Sequence, residues 1–224
     1  MTLNNPAEAA GESARTRILQ TAAELFAEHG YASTSVRKIC ETAQVNVAMV
    51  NYYFHSKEEL HLAAFDHAHE LANASAPAVA AASAAARMAP VEQLRLAIEA
   101  LVSDMLRSGP ASLFSRLVAR ELIEPTAAMH KLVERHVRPQ QTLFTALIRG
   151  VVGPAMPDQI VQKCVFSVVG QAVFYARSRV VHALVAPELT YDQAGIAAIA
   201  SHVAQFSLAA LAGMRAQYPA EVAA

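Results

Sequence analysis

The stretch from Ala43 to Leu60 constrains the fold of this chain more than any other. It begins as a tight turn, continues as a very short helix rich in aromatic residues, and opens another helix at Ser56. A helix so short contributes little core volume, so its outward side chains need a different explanation. A second short helix over 35–42 precedes it, and the pair predicts a helix-turn-helix unit.

Helix start and stop signals on the N-terminal side of this stretch predict two helices. The first covers about residues 12–29, and Gly30 ends it because glycine accepts the left-handed conformation that a helix C-terminus favours. Thr34 is then expected to cap the second helix. Apolar residues recur at helical spacing in both helices, so both are expected to pack into one small core.

The third and fourth helices carry similar signals. Asn46 is placed to cap the third helix, and Val50 and Phe54 turn that helix towards the same core. Ser56 is placed to cap the fourth helix, with Glu59 three residues further on, which predicts a capping box worth about 1 kcal/mol. We therefore expect a small three-helix module that leads into a longer fourth helix.

Composition places the whole chain among all-α proteins. It has 224 residues, of which 54% are hydrophobic, and only eight glycines, and it shows few strand-like alternations. The alanine-rich segment 74–89 is the expected domain boundary. We predict a disordered tail over 1–11, an N-terminal three-helix helix-turn-helix domain over 12–72, and a larger C-terminal helical domain over 90–216.

The C-terminal domain is outlined by one proline and by its apolar pattern. A helical stretch is expected to bend or break near Pro139, and apolar helices are expected over 158–184 and 191–216. These last two helices are alanine-rich and carry more apolar surface than one small domain is expected to enclose. A two-fold homodimer formed through them explains that surface, and a monomer with a large core is the alternative.

Net charge does not by itself indicate a nucleic-acid partner. The formal net charge is −1, and the first sixty residues contain more acidic than basic side chains. A DNA-binding protein is expected to present a basic surface, so such a surface depends here on where the cations of the N-terminal helices lie. The candidates are Arg15, Arg17, Arg37, Lys38 and Lys57.

Several classes of protein are disfavoured. Cys40 and Cys164 are too few for a disulfide framework. The N-terminus lacks a basic-then-apolar signal, and the apolar run between Lys163 and Arg177 is shorter than the ~18 residues that a membrane span requires. We therefore expect a soluble, cytoplasmic protein with no membrane partner.

No catalytic or metal-binding pattern stands out. Glu58 and His61 have the spacing of one half of a di-iron carboxylate site, but the second half is missing from the sequence. His67 and His69 lie two residues apart on a helix and point in different directions. The chain also lacks a nucleophile elbow and a glycine-rich phosphate loop. We therefore expect no enzyme activity, no metal and no cofactor.

The N-terminal pattern resembles the TetR/AcrR family of bacterial transcriptional repressors over about residues 12–71. The matching segments are Ile18–Phe26, Gly30-Tyr31, Thr34, Val36–Ile39 and Tyr53–Leu60. Gln44 stands where the family has a turn glycine, and a left-handed conformation there would cost about 1 kcal/mol. Asn51 stands where the family has a tyrosine, with Tyr52 directly after it, so base preference is expected to differ from that of relatives.

The resemblance also implies which residues contact DNA. They are Thr34, Ser35, Arg37, Val47, Ala48, Met49, Asn51, Tyr52, Tyr53 and Lys57. Side-chain chemistry agrees with this set, because Arg37 can bond guanine and Asn51 can bond adenine at two points, each worth roughly 1–3 kcal/mol of discrimination. Val47 and Ala48 suit the methyl group of thymine.

Other members of the set are suited to phosphates. Thr34, Tyr53 and Lys57 have the donors and the reach for phosphate oxygens, which fix the register of the protein on DNA without reading its sequence. The alternative to DNA binding is an ordinary three-helix subdomain with exposed tyrosines.

The C-terminal domain resembles the CecR-like subgroup of the same family over 114–121 and 138–140. This resemblance implies a helical domain that dimerises through its last two long helices and encloses a pocket for a small effector. The pocket candidates are Phe114, Arg120, Glu121, Phe166, Phe174 and Tyr175. The alternatives are a solvated charged helix face for Arg120 and Glu121 and an ordinary core for the aromatic residues.

These expectations combine into one functional hypothesis. The chain is predicted to be a homodimeric regulator that binds a palindromic operator in double-stranded DNA. The favoured role is that of a repressor that leaves its operator when a small-molecule effector binds. A transcriptional activator or co-regulator of the same fold is an open alternative. An enzyme with a helix-turn-helix appendage is a further one.

Overall fold

The computed structural model describes residues 6–73, 88–108 and 112–218. Within these ranges every regular element is helical and none is a strand, which confirms the all-α fold class. The helices are α1 Pro6–Ser33, α2 Val36–Ala43, α3 Val47–Phe54, α4 Lys57–Asn73, α5 Pro90–Ser108, α6 Leu113–Ile123, α7 Ala128–Leu132, a π-helical segment Val133–Val137, α8 Arg138–Val152, α9 Asp158–Arg177, α10 Arg179–Val185 and α11 Gln193–Ala216.

Internal contacts divide the chain into two compact units. The N-terminal unit consists of Met1–Ser75 and Ala111–His136, and the C-terminal unit consists of Ala76–Pro110 and Val137–Ala224. Residues 112–136 fall within the range 90–216 that the sequence predicts as the C-terminal domain. By their contacts these residues group with the N-terminal helices.

The core of the N-terminal unit explains this grouping. Ile18 and Phe26 of α1 and Phe65 of α4 are at most 1% exposed. Leu117 of α6 and Leu132 of α7 belong to the same cluster of buried side chains. Burial of these two leucines contributes on the order of 2 kcal/mol each, so α6 and α7 are part of the body that carries the helix-turn-helix.

The first helix differs from its prediction at one end and agrees at the other. α1 begins at Pro6, so residues 6–11 of the predicted tail are helical, and residues 1–5 lie outside the described residues. Gly30 has φ 81° and ψ 168°, a conformation open only to glycine, and it interrupts α1 as predicted. One further turn then extends to Ser33.

The C-terminal unit packs α5 against the helices that follow it. Leu94, Ile98 and Val102 of α5 are fully buried and share one cluster with Ile148 of α8 and Val203 of α11. α5 contacts α8, α9 and α11, so it occupies the middle of this unit. The other predicted boundary, the segment 74–89, lies almost entirely outside the described residues.

Two helix boundaries in the C-terminal unit were predicted with different success. Pro139 lies in the first turn of α8, directly after the π-helical segment, so the hydrogen-bond pattern changes near it as the sequence suggests, but the chain stays helical and is not broken. The single helix predicted over 158–184 is wrong. Ser178, at φ −101° and ψ 21°, separates α9 from the short helix α10.

α11 is the most apolar long helix among the described residues. Length and composition alone would allow it to cross a bilayer, a criterion that the core helices of many soluble proteins also meet. Ile196, Val203 and Leu211 on one face of α11 are buried in the C-terminal unit. Much of the rest of its surface is exposed, with 39% of the apolar window buried.

Candidate DNA-binding surface

The start of α2 is capped by Ser35 and not by Thr34. The Ser35 hydroxyl accepts a hydrogen bond from the Lys38 backbone N–H at 3.1 Å. Thr34 is 1% exposed, and its hydroxyl donates to the Gly30 carbonyl at 2.8 Å. The predicted cap at Thr34 is therefore corrected. Its hydroxyl, turned inwards, is also not presented to a phosphate as the sequence had suggested.

The turn between α2 and α3 depends on Gln44. This residue adopts φ 54° and ψ 49°, the left-handed conformation that a glycine would accept without strain. Its backbone N–H and that of Val45 both donate to carbonyls at the end of α2, with the Val45 bond to Cys40 O at 3.0 Å. The left-handed geometry considered from the sequence is thus kept, at a cost of about 1 kcal/mol.

The recognition helix α3 is held from one side and exposed on the other. Asn46 caps it as predicted, with its side-chain oxygen accepting from the Ala48 N–H at 2.8 Å. Val50 and Phe54 are 2% and 4% exposed and anchor α3 to the core of the N-terminal unit. The opposite face is open to solvent, and Tyr52 on it is 76% exposed.

The other α3 residues of the predicted set divide between this open face and its edge. Val47, Ala48 and Asn51 are exposed, so they share the open face with Tyr52. Met49 and Tyr53 are only partly exposed, because both also pack against the core. The structure therefore presents a valine, an alanine, an amide and a phenol side by side on two helical turns.

A second strained turn, which the sequence analysis missed, joins α3 to α4. His55 adopts φ 58° and ψ −42°, and the Ser56 N–H donates to the Phe54 carbonyl at 2.5 Å, which together form a γ-turn of the rare, strained type. The Ser56 hydroxyl caps α4 by accepting from the Glu59 N–H at 3.1 Å. The predicted capping box is only half formed, because the Ser56 N–H is engaged in the γ-turn.

The cations around this surface do not all face solvent. Arg37 is open to solvent, with its side chain 86% exposed and its Nε 3.0 Å from a Glu41 carboxylate oxygen. Arg17 donates from Nε to the Ala43 carbonyl at 2.9 Å, which satisfies the C-terminus of α2. Arg17 therefore stabilises the turn, while its exposed guanidinium keeps its charge at the surface.

Lys57 occupies an intermediate position. Its ammonium lies 4.1 Å from the centre of the Tyr31 ring, a cation–π contact. Partial burial lowers the pKa of Lys57. Lys57 stands at the first position of α4, where free backbone N–H groups and a lysine charge together suit an anion.

Three of the predicted effector-pocket residues lie in the N-terminal unit and serve its structure. Glu121 is 3% exposed, and one of its carboxylate oxygens accepts from both the N–H and the hydroxyl of Thr126 at 2.8 Å. Arg120 donates to the Glu28 carbonyl at 2.7 Å. Phe114 packs edge-on against Phe65. These contacts fix α6 and give the three side chains a structural role in the N-terminal unit.

The remaining three pocket candidates lie in the C-terminal unit. Phe174 and Tyr175 line an open groove of about 680 Å³ between α9, α10 and α11. Phe166 is 64% exposed on α9 and does not line it. The groove also includes His182 and Phe206, which the sequence analysis did not single out. The sequence analysis did not indicate that His182 lies on a separate helix, because a single helix was predicted over 158–184 and the break at Ser178 was not recognised.

The N-terminal unit thus shows a capped two-turn helix with a solvent-facing polar and aromatic surface after a tight turn, which is the arrangement of a helix-turn-helix DNA-binding protein. A family model described as "Bacterial regulatory proteins, tetR family" matches residues 18–64, and one described as "HTH-type transcriptional dual regulator CecR, C-terminal domain" matches residues 90–214. The chain belongs to the TetR family of bacterial transcriptional regulators and carries a C-terminal domain of the CecR type. Regulators of this family are not enzymes.

Individual relatives agree with this assignment. The HTH-type transcriptional dual regulator CecR of Shigella flexneri is 30% identical over 164 residues, which are 67% of this chain and 70% of that protein. The probable regulator YttP of Bacillus subtilis is 44% identical over 45 residues, 20% of this chain and 22% of its own length.

Solved structures show the same fold at low identity. A putative transcriptional regulator from Pseudomonas aeruginosa PAO1 has a TM-score of 0.64 and 17% identity and covers 93% of this chain and 95% of its own. FadR from Bacillus subtilis, solved in complex with stearoyl-CoA, has a TM-score of 0.58 and 14% identity and covers 86% and 96%.

Proposed function

We propose that this regulator acts in the cytoplasm as a homodimeric repressor that places α3 in the major groove of a palindromic operator and leaves it when a small effector binds. The exposed face of α3 is the observation that carries the DNA-binding part. Asn51 and Tyr52 lie there beside two small apolar residues, Val47 and Ala48. On the opposite side of the helix, Val50 and Phe54 are buried in the core.

The proposed division of DNA contacts follows the exposure of each side chain. Arg37 reads guanine after it releases Glu41, which is feasible because an exposed ion pair of this kind contributes at most about 1 kcal/mol. Asn51 reads adenine, and Val47 and Ala48 contact thymine methyl groups. Met49 and Tyr52 lie against neighbouring sugars and bases.

A second group of side chains is proposed to contact DNA phosphates. Ser35, Tyr53 and Lys57 are at least partly exposed, and the N-terminus of α4 adds backbone N–H donors. Thr34 supports this group from within, through its hydrogen bond to Gly30. These contacts set the position of the protein on DNA, whereas Arg37 and Asn51 set the preferred sequence.

Dimerisation through α9 and α11 is supported by an unusual exposed surface. Phe166, Phe174 and Phe206 are 58–64% exposed on these two helices. Gly170 and Gly213 lie inside the same helices, where glycine costs about 1 kcal/mol relative to alanine, yet a Cβ at either position would meet nothing within 4 Å. Glycines that the chain itself does not require are consistent with the close approach of a second copy.

Effector binding is supported by an open groove on this same surface, which Gly170, Phe174 and Phe206 also line. Regulators of the TetR family bind DNA operators and often bind small effectors, and FadR of Bacillus subtilis was solved with stearoyl-CoA. We assign the effector site to the groove that Phe174 and Tyr175 line. An effector there would lie within the proposed dimer surface, in contact with Phe174 and Phe206. It could therefore favour a dimer with a different half-site spacing, by ~1–3 kcal/mol for typical coupling.

A gel-shift experiment with the DNA upstream of the regulator's own gene tests the DNA-binding assignment. Arg37→Ala and Asn51→Ala should each weaken binding roughly ten- to a hundredfold in physiological salt, since each removes a two-point base contact. Arg107→Ala is the matched control, because Arg107 is also an exposed arginine in a helical ion pair but lies in the C-terminal unit. If both variants bind like the wild type, α3 is not the recognition helix.

A dual role is a second candidate, because the relative from Shigella flexneri is named a dual regulator. Reporter fusions to the promoters that the protein binds, compared in cells with and without its gene, distinguish a repressor from a dual regulator. A repressor raises every reporter when the gene is deleted, whereas a dual regulator raises some and lowers others.

A further inference from the structure

The short helix α10 presents an apolar face that the described residues leave uncovered. Its members are 53–80% exposed and are Val180, Val181, Leu184 and Val185. Their spacing along a helix of seven residues places all four on one face. Residues 180–187 include no Asp, Glu, Lys or Arg, so no charge interrupts this face. A monomeric protein seldom leaves such a concentration of large aliphatic side chains in water.

The opposite side of α10 provides little anchorage. His182 is the one buried residue of this helix. Its ring lies edge-on to that of Phe174, with centroids 5.1 Å apart, and its Nδ1 is within hydrogen-bond distance of the Tyr191 hydroxyl. A helix of seven residues is far below the length at which its own hydrogen bonds keep it folded in water. The position of α10 therefore requires further packing, which its aliphatic face can supply.

The aliphatic face of α10 adjoins the surface proposed above for dimerisation through α9 and α11. His182 and Ala186, on the inner side of α10, line the groove together with Phe174 and Phe206. Residues 193–214 of α11 also contain no Asp, Glu, Lys or Arg. The surface from α11 across the groove to α10 is therefore apolar and uncharged, and depletion of charge is typical of the core of an interface between subunits.

The exposed areas favour a partner as large as a second copy. A stable interface buries about 800 Å² on each partner, of which about 65% is apolar in homodimers, so roughly 500 Å² of apolar surface is required. Phe166, Phe174 and Phe206 supply about 350 Å², taking ~200 Å² for a fully exposed phenylalanine. The four aliphatic residues of α10 add about 350 Å² more, at ~120 Å² for each fully exposed side chain. The phenylalanines alone fall short of the requirement, whereas together with α10 they exceed it.

We infer that α10 is an arm of the dimer, whose outer face packs against a second copy of this chain and continues the surface of α9 and α11. This inference rests on the proposed dimer and adds a third helix to it. In a two-fold dimer the same patch is buried on both copies, so each substitution on α10 acts twice. Since the inner side of α10 lines the groove, α10 then stands between an effector in the groove and the partner copy.

Dissociation constants from sedimentation equilibrium test the inference. In Val180→Ser/Leu184→Ser, two side chains that are 78% and 80% exposed in the single chain become polar. Because both copies change, the dimer should dissociate at a concentration roughly a hundredfold higher than that of the wild type. Leu122→Ser/Ile123→Ser is the matched control, since these residues are 64% and 73% exposed but lie in the N-terminal unit, and it should dissociate like the wild type. Circular dichroism checks that each variant folds.

The reactivity of an introduced thiol measures the burial of α10 directly. Val180→Cys in the dimer should react with a maleimide roughly tenfold more slowly than Ile123→Cys, because reaction requires access to the thiolate. On dilution into separate copies, the two rates should become similar. Cys40 and Cys164 contribute little background, because both are buried and burial raises the pKa of both thiols.

The outcomes separate this inference from the proposed dimer. If Val180→Ser/Leu184→Ser dissociates like the wild type, or if Val180→Cys reacts in the dimer as fast as Ile123→Cys, the inference about α10 is overturned. Phe166→Ser tests α9 separately, and a weaker dimer in this variant beside an unaffected α10 variant retains the proposed dimer without α10. A wild type that stays monomeric at every concentration overturns both.

Discussion

His61 should make the stability of this regulator depend on pH near neutrality. Its ring is 3% exposed and lies among the rings of Phe26, Tyr31 and Phe65, with centroids 4.6, 4.9 and 5.1 Å away. Its Nδ1 has no hydrogen-bond partner among the described residues. Burial, followed by the charge of Lys57, lowers the pKa of His61 from 6.5 to about 4.

The direction of the effect follows from which state takes up the proton. In the unfolded chain His61 protonates as the pH falls through 6.5, while in the folded protein it stays neutral until about pH 4. The unfolded state therefore binds more protons in this window, and the free energy of unfolding falls as the pH falls. The full loss is about 3 kcal/mol by pH 4, of which about 1 kcal/mol appears between pH 7.5 and 5.5.

Urea unfolding at fixed protein concentration, followed by circular dichroism at pH 7.5 and 5.5, measures this loss. His61→Phe has no titrating group at this position, so its unfolding free energy should change by about 1 kcal/mol less than that of the wild type over the same interval. His61→Leu serves as a second apolar variant if the larger ring is not accommodated. His29→Gln removes an exposed histidine and should keep the wild-type dependence.

The test compares the change in unfolding free energy between variants, because the carboxylates are the same in all of them and contribute equally. Parallel curves for the wild type and His61→Phe between pH 7.5 and 5.5 would refute the reasoning, since they would mean that His61 protonates as easily in the folded protein as in the unfolded chain. A shallower dependence in His29→Gln than in the wild type would assign the loss to His29 and not to His61.

Two further substitutions, each with a comparison variant, test the turn and the recognition surface. Gln44→Gly removes the left-handed strain and should raise the free energy of unfolding by up to about 1 kcal/mol, whereas Ala48→Gly in the exposed part of α3 should lower it by about 1 kcal/mol; urea midpoints measure both. Glu41→Gln frees Arg37 and removes a negative charge beside the phosphates, so operator affinity should rise a few-fold at low salt and the gain should shrink as salt increases, as gel shifts would measure. Glu188→Gln removes an exposed carboxylate of the C-terminal unit and should leave the affinity unchanged.

The predicted elements that proved correct rest on local chemistry. Asn46 and Ser56 were identified as caps because each stands alone before an apolar helical pattern, and both side chains accept the expected N–H bond. Thr34 and Ser35 are adjacent and both can cap, so sequence alone could not choose between them. The choice depends on the Gly30 carbonyl, which takes the Thr34 hydroxyl, and that contact exists only once α1 has folded back.

The features that were missed depend on contacts between distant parts of the chain. Nothing local in α6 indicates that Leu117 joins a core built mainly from residues before position 70. Glu121 has the spacing of a surface charge, yet it is buried because Thr126 turns back to donate to it. The groove around His182 depends on the break at Ser178, where no glycine or proline marks the end of the helix.

The two ends of the recognition helix have a feature in common. Gln44 and His55 are the non-glycine residues with positive φ in the described part of the chain, and they stand immediately before and after the α3 unit. Such conformations cost about 1–3 kcal/mol each and persist only where the surrounding structure imposes them. Val50 and Phe54, buried beneath α3, supply that constraint. Since α3 cannot rotate without losing both turns and both anchors, we expect its orientation within the N-terminal unit to be the same with and without an effector. Release from the operator would then require a change in the separation of the two copies of α3 in the dimer.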